Sequence, residues 1–106
     1  MLPLLLEPIF VEIPFQQWGL DFIGEIQPSS STQHKWILTA TDYFTKWIEA
    51  TPSRVAIDDV IIKFLETNIL SRFGCPRKLI TDNAASFKSK NMFEFYHNTT
   101  LLWDIQ

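Results

Sequence analysis

The spacing of the apolar residues changes at Ile57, and this change constrains the fold more than any other feature. From there apolar residues recur every three or four positions, as on a helix with one buried face: Ile57, Val60, Ile61, Phe64, Leu65, Ile69 and Leu70. Asp58 and Asp59 fall in the first turn, where negative charge complements the helix dipole. Gly74 and Pro76 end the pattern, since proline cannot continue a helix. The sequence therefore predicts one long helix between Ile57 and Gly74.

Strand-like runs rich in β-branched and aromatic residues surround this helix. Three precede it: "WGLDFIG" (18–24), "KWILTATDYF" (35–44) and "KWIEATP" (46–52). Their short connections, including the polar "QPSSST" (27–32), favour an antiparallel meander. After it come a short strand "KLIT" (78–81), a second helix at about 89–96 and a last strand in "TTLLW" (99–103). The order β-β-β-α-β-α-β predicts an α/β fold with a mixed five-stranded sheet and helices packed on it.

The chain has 106 residues, enough for one small domain, and 46% of them are hydrophobic, as in a packed core. Its single cysteine, Cys75, excludes an internal disulfide and a multi-cysteine zinc site, and we expect it to be buried. The apolar start (1–10) lacks a basic region and is interrupted by Glu7, so we expect no signal peptide. No run approaches the roughly 20 apolar residues that span a bilayer. We therefore predict a protein of the nucleus or cytoplasm, not secreted and without a membrane partner.

Positive charge is concentrated in one part of a chain whose formal net charge is -3. An acidic total disfavours a nucleic-acid partner, because phosphate binding depends on cations. The segment 72–90, however, contains five cations and one acidic residue, Asp82. Local charge decides where a polyanion binds more than the total does. This segment is therefore the candidate nucleic-acid surface, and its cations are Arg72, Arg77, Lys78, Lys88 and Lys90.

Two aspartates stand in or beside apolar strand patterns, where aspartate is rare and costly to bury. Asp21 lies inside the first run, and Asp82 follows "KLIT". Taken singly, Asp21 could face solvent and Asp82 could belong to a turn beside Asn83. Taken together, they could meet on neighbouring strands, where two carboxylates repel each other unless a cation lies between them. Mg²⁺ or Mn²⁺ is the natural cation, because both prefer oxygen ligands and bind phosphate oxygens as well.

Three longer motifs carry a resemblance to a known family. In chain order they are "PFQQWGLDFIG" from Pro14, "TDYFTKWIEA" from Thr41 and "SRFGCPRKLITDNAASF" from Ser71. Together they resemble the catalytic core of integrases from gypsy-type LTR retrotransposons, part of the retroviral integrase superfamily, whose fold is ribonuclease H-like. The likeness covers nearly the whole chain, so we interpret residues 1–13 as an N-terminal extension and 14–106 as a partial catalytic core.

The resemblance implies a two-metal polynucleotidyl transferase, which joins the ends of a DNA copy of the element to target DNA. It assigns Asp21 and Asp82 as catalytic acids and as ligands of Mg²⁺ or Mn²⁺. The family's third acid, a glutamate, is expected about 35 residues after Asp82, beyond Gln106. Glu94 comes too early for this role, and Asp42 belongs to a motif of the group without being catalytic. We therefore expect a C-terminally truncated core, inactive by itself.

DNA is the partner that the resemblance implies, both the element ends and the target. We assign the contacts with nucleic acid to Arg77, Lys78, Asn83, Lys88 and Lys90. The helices that should cover one sheet face in this family would follow residue 106, so exposed apolar surface could favour self-association. Two other interpretations stay open: an active integrase core, and a non-catalytic module that binds DNA or a protein through the retained fold.

Overall fold

A computed structural model describes residues 13–24 and 35–105 of the chain, which include a five-stranded sheet. The strands, in chain order, are β1 (Gln17–Ile23), β2 (Trp36–Asp42), β3 (Ile48–Ser53), β4 (Lys78–Thr81) and β5 (Leu102–Ile105). Their order across the sheet is β3-β2-β1-β4-β5. The first three pair antiparallel, whereas β4 pairs parallel to both β1 and β5. The predicted meander and the mixed sheet are confirmed; the polar loop 27–32 and most of the 1–13 extension lie outside the described residues.

The predicted long helix is present, and it is built of three consecutive pieces. An α-helix (Asp58–Phe64) continues into a π-helical stretch (Leu65–Leu70) and a last α-helical turn (Ser71–Phe73), and we call the three together the long helix. Gly74 ends it as predicted: its φ of 82° is open to glycine without strain, and its N–H donates to the Leu70 oxygen at 3.0 Å. The apolar spacing did not indicate the π-helical stretch.

A second helix (Lys90–Thr99) follows a short 3₁₀ turn (Ala85–Lys88) that the sequence did not predict. Ser89 caps it, since its hydroxyl oxygen accepts from the Met92 N–H at 3.1 Å. Its last residue, Thr99, lies three residues beyond the predicted end, and Thr100 follows in the left-handed conformation. Among the described residues, no helix is long and apolar enough to cross a bilayer.

The core lies between one face of the sheet and these helices. Alternate residues of β1 and β2 are buried there, and Trp18 of β1 is fully buried. Its indole lies 5.8 Å from the ring of Phe15 and 5.4 Å from that of Phe73, measured between centroids. The remaining core residues come from strands and helices alike, among them Leu20, Leu38, Ala40, Ile61, Leu65, Ile69, Leu79 and Met92.

A buried carboxylate joins the edge strand β3 to the long helix. Glu49 accepts from Trp47 Nε1 at 2.6 Å, from Asn68 Nδ2 at 3.3 Å and from Arg72 Nη1 at 2.7 Å. Burial acts to raise the pKa of Glu49, but these hydrogen bonds and the charge of Arg72 outweigh it and lower the pKa. Arg72, one of the cations of the basic segment, is therefore engaged in the fold.

The prediction that Cys75 is buried was wrong. Cys75 is exposed in the connection between the long helix and β4, where Pro76 takes the buried position instead. Its thiol donates to the Thr99 oxygen at 3.2 Å. The last strand begins later than predicted: it was expected within residues 99–103, and β5 runs from Leu102 to Ile105. Leu101 is buried just before the strand, whereas Leu102, its first residue, is 58% exposed.

Candidate active site

The register of two parallel strands brings the predicted acids together. Gly19 of β1 lies opposite Ile80 of β4. Asp21, within β1, and Asp82, directly after β4, each follow two residues later, so both lie at the same end of this strand pair. Adjacent strands are separated by about 4.8 Å, and residues opposite each other in a parallel pair project from the same face. Both side chains are exposed, and they project away from the core face that holds Trp18.

Both aspartates line one cleft of about 340 Å³. The Asp82 carboxylate accepts from the Ala84 N–H at 2.9 Å, which makes the turn expected of an aspartate beside Asn83 and also orients the side chain. Asp21 makes no side-chain hydrogen bond to the described residues, and neither acid forms an ion pair with them. The other residues that line the cleft are Gly19, Leu20, Thr39, Thr41, Tyr43, Ile80 and Thr81.

The donor set of this cleft fits a divalent cation that prefers oxygen. Two exposed carboxylates supply oxygen ligands, and Mg²⁺ characteristically binds one or two carboxylates while keeping several waters. No group of three or more metal-ligating side chains occurs in the part of the chain that the structure describes. Glu94 is exposed on the second helix and does not line the cleft, in keeping with the prediction that it is not the third acid.

Asp42 ends β2 as predicted, and its contacts are structural. It is fully buried, and its two oxygens accept from the Phe15 N–H at 2.9 Å, the Thr45 N–H at 2.8 Å and the Thr45 hydroxyl at 2.6 Å. It does not line the cleft. All of these bonds hold the turn after β2 and the approach to β1, so the carboxylate is engaged in the fold.

Tyr43 lines the cleft but was not among the predicted site residues. It follows Asp42 in the turn after β2, and its ring lies across Gly19, two residues before Asp21. Thr39, directly opposite Asp21, and Thr41, opposite Gly19, complete this wall. The available signal was the alternation of "LTATD", which places both threonines on the face of Asp21.

The residues predicted to contact nucleic acid are divided between the two ends of β4. Asn83 directly follows Asp82, and Lys88 and Lys90 are exposed a few residues later, at the end of the 3₁₀ turn and the start of the second helix. Lys78 begins β4 and Arg77 directly precedes it, so at roughly 3.3 Å per residue their backbones are about 13 Å and about 16 Å from Asp82. Lys78 Nζ lies 3.6 Å from the Asp104 carboxylate. None of the five lines the cleft, and their contact with nucleic acid stays a prediction.

A comparison with protein families matches residues 11–105 to the integrase core domain. The chain belongs to that family. The retroviral integrase superfamily indicated by the three motifs is thereby confirmed.

Curated relatives of this integrase core domain are retroviral polyproteins. It is 35% identical over 77 residues to the Pol polyprotein of Radiation murine leukemia virus (strain Kaplan), an alignment that covers 73% of the chain and 13% of the relative. It is 29% identical over 92 residues to the Gag-Pol polyprotein of Avian reticuloendotheliosis virus, covering 87% of the chain and 8% of the relative. The integrase core domain thus spans about a tenth of the length of these polyproteins.

Solved structures confirm the ribonuclease H-like α/β fold. The simian T-cell lymphotropic virus intasome in complex with PP2A regulatory subunit B56 gamma superposes with a TM-score of 0.77 and 16% identity over 89% of this chain and 35% of that one. The HTLV-2 integrase catalytic core domain in complex with magnesium, in a trimeric form, superposes with a TM-score of 0.73 and 19% sequence identity, over 89% of this chain and 61% of that one.

Proposed function

We propose that this integrase core domain binds DNA and a divalent ion for DNA integration, with Asp21 and Asp82 as the metal ligands. The register between β1 and β4 carries the proposal, because it aligns two exposed carboxylates that have no cation partner among the described residues. The structural likeness to an HTLV-2 core domain that was solved in complex with magnesium supports Mg²⁺ or Mn²⁺ as the ion. When bound, such an ion would stabilise negative charge that develops on phosphate oxygens during in-line displacement.

The residues of the cleft then have distinct tasks. Asp21 and Asp82 hold the ion, and the Ala84 N–H keeps the Asp82 carboxylate oriented toward the cleft. Asn83, Lys88 and Lys90 lie on the chain after Asp82, where exposed donors can contact the phosphates of a DNA strand that enters the cleft. Arg77 and Lys78, at the other end of β4, would contact DNA only further from the reacting phosphate.

We further propose that residues 1–106 are inactive in strand transfer by themselves. The cleft contains two carboxylates, which we assign as two of the three acids that the family uses, and the third is expected in a longer chain, about 35 residues after Asp82. Loss of one ligand from a metal site costs orders of magnitude in rate. The longer protein would be a gypsy-type LTR retrotransposon integrase. Strand transfer with Mn²⁺ by this chain alone would contradict the proposed inactivity.

Titration with Mn²⁺ by isothermal calorimetry tests the metal site directly. We expect Asp21→Asn and Asp82→Asn each to weaken Mn²⁺ affinity at least about tenfold, because each removes one charged oxygen ligand. Asp59→Asn is the matched control, since Asp59 is exposed in the first turn of the long helix and does not line the cleft. Unchanged affinity in both cleft variants would contradict the proposal.

A second candidate function is a non-catalytic module that binds DNA through the same fold. The exposed Lys88 and Lys90 favour it, because phosphate contacts do not require the metal. Lys88→Ala and Lys90→Ala should each reduce the salt dependence of DNA affinity by about one unit of log-log slope. DNA binding that survives Asp21→Asn, together with no strand transfer by a longer chain that restores the glutamate, would favour this function over the enzyme.

Self-association is part of the proposal. Exposed apolar side chains occur on the face that carries the cleft: Ile23, Ile48 and Leu102 are 51%, 60% and 58% exposed. A second molecule that covers this surface would remove it from water at about 25 cal/mol per Å². Sedimentation equilibrium tests the idea, and a strict monomer at concentrations up to the solubility limit would contradict it.

A further inference from the structure

The ring of Tyr43 occupies the space that a side chain at position 19 would fill. A Cβ added to Gly19 would lie 2.8 Å from Tyr43 Oη, 3.0 Å from Cε1 and 3.1 Å from Cζ. The backbone N–H of Tyr43 also donates to the Gln17 oxygen at 3.0 Å. Both contacts are with β1, the strand that carries Asp21. Strand β1 therefore positions the phenol at the wall of the cleft, over Gly19, which precedes Asp21 by two residues in the same strand.

The hydroxyl of Tyr43 makes no hydrogen bond to the described residues, and the residue is 38% exposed. The hydroxyls of Thr39 and Thr81, which also line the cleft, donate to backbone oxygens of Asp21 and Asp82 at 3.4 and 2.8 Å. A phenol is a good donor that extends further from the backbone than a threonine hydroxyl. Tyr43 thus provides a long donor, without a partner among the described residues, at the edge of a cleft that also contains two carboxylates.

We propose that Tyr43 is a substrate-contacting residue, and that its hydroxyl donates a hydrogen bond to a non-bridging phosphate oxygen of DNA bound in the cleft. The inference rests on the proposed function, because it requires DNA at the two acids. A phosphate that approaches two carboxylates is repelled by them, so a fixed neutral donor beside the metal ligands adds attraction without competing for the metal. The contact would set the position of the DNA backbone relative to Asp21.

Stacking of a nucleobase on the exposed part of the ring is the other way in which Tyr43 could contact DNA. The two modes predict different effects of removing the hydroxyl alone. Tyr43→Phe keeps the ring on Gly19 and the stacking surface, and it deletes only the donor. Tyr43→Ala removes both.

The test measures affinity for a short DNA duplex by fluorescence anisotropy in Ca²⁺ at fixed salt, using the full chain. We expect Tyr43→Phe to weaken binding about tenfold, the value of one hydrogen bond to a charged acceptor. The salt dependence should stay unchanged because no charge is removed. Phe44→Ala is the matched control, since Phe44 is 46% exposed on the same turn but does not line the cleft, and it should bind as wild type.

Wild-type affinity in Tyr43→Phe would overturn the proposal, and a loss confined to Tyr43→Ala would assign the contact to the ring instead. Mn²⁺ titration without DNA separates this failure from that of the proposed function. If the metal binds and depends on Asp21 while Tyr43→Phe has no effect, only the role of Tyr43 is wrong. If wild type binds neither Mn²⁺ nor DNA, both are wrong. Thermal unfolding of Tyr43→Phe should match wild type, which excludes a folding defect.

Discussion

Replacement of Asp42 by alanine should destabilise the domain while leaving the two candidate metal ligands of the cleft, Asp21 and Asp82, in place. The carboxylate is fully buried and accepts three hydrogen bonds, two of them from the backbone N–H groups of Phe15 and Thr45. A hydrogen bond to a charged group contributes about 1.5–3 kcal/mol to stability. A buried N–H that loses its acceptor lowers the stability further, because it is no longer hydrogen-bonded to water or protein. Since bonds to one group are not additive, we expect a loss of about 4 kcal/mol in the free energy of unfolding. That is a large fraction of the roughly 5–15 kcal/mol that stabilises a small domain.

Thermal unfolding followed by circular dichroism measures this loss. At roughly 4–8 °C per kcal/mol for a domain of this size, the melting temperature of Asp42→Ala should fall by about 15–30 °C. Thr45→Val is a milder companion, because it deletes the hydroxyl and keeps the backbone donor. The reasoning would be refuted if Asp42→Ala melted within about 2 °C of wild type. Loss of Mn²⁺ affinity by such a stable variant would identify Asp42 as a metal ligand.

Two further predictions concern acid stability and the wall of the cleft. Because hydrogen bonds and Arg72 hold the pKa of Glu49 below its ordinary value of 4.5, its stabilising contribution is present above that pH and is lost as the pH falls through the folded-state pKa. In Glu49→Gln the denaturation midpoint should therefore fall less steeply than in wild type as the pH decreases below about 4.5. The same pH dependence in the variant and in wild type would contradict this. Gly19→Ala should displace the exposed ring of Tyr43, weakening DNA binding as Tyr43→Phe does while costing less than about 1 kcal/mol of stability. Gly74→Ala is the control. At a φ of 82° alanine lowers the free energy of unfolding by about 1–3 kcal/mol, but the affinity for DNA should not change. Equal losses of DNA affinity in the two variants would refute the prediction.

Most of the fold could be predicted because its elements have strong local signals. The long helix ends at Gly74, where the chain needs a positive φ, and β4 has the predicted bounds because a buried apolar run there is followed by a polar turn. The π-helical stretch Leu65–Leu70 has no such signal, since it changes the hydrogen-bond partner of each residue without changing which residues are apolar. The position of Cys75 was missed because composition gives only the average burial of a residue type.

The candidate site was predictable only in part. Asp21 and Asp82 became candidates because each stands in or beside an apolar strand pattern, and both line one cleft of the structure; their role stays a prediction. Tyr43 could not be found in this way. It lies in a turn, where no alternation indicates the direction of a side chain, and its place in the cleft depends on the contact with Gly19 across two strands.

Three of the five cations of the basic segment, Arg72, Arg77 and Lys78, are paired elsewhere or lie at the far end of β4 from Asp82. Arg72 is bound to Glu49. At roughly 3.3 Å per residue along an extended strand, the backbone of Lys78 is about 13 Å and that of Arg77 about 16 Å from Asp82, more than the Debye length of about 8 Å at physiological salt. These three residues therefore bring little positive charge to the cleft. Two exposed carboxylates that line one cleft, without an ion pair to any described residue, favour a cation from solution. The electrostatic case for a metal ion is thus stronger in the folded protein than the basic sequence around Asp82 indicates.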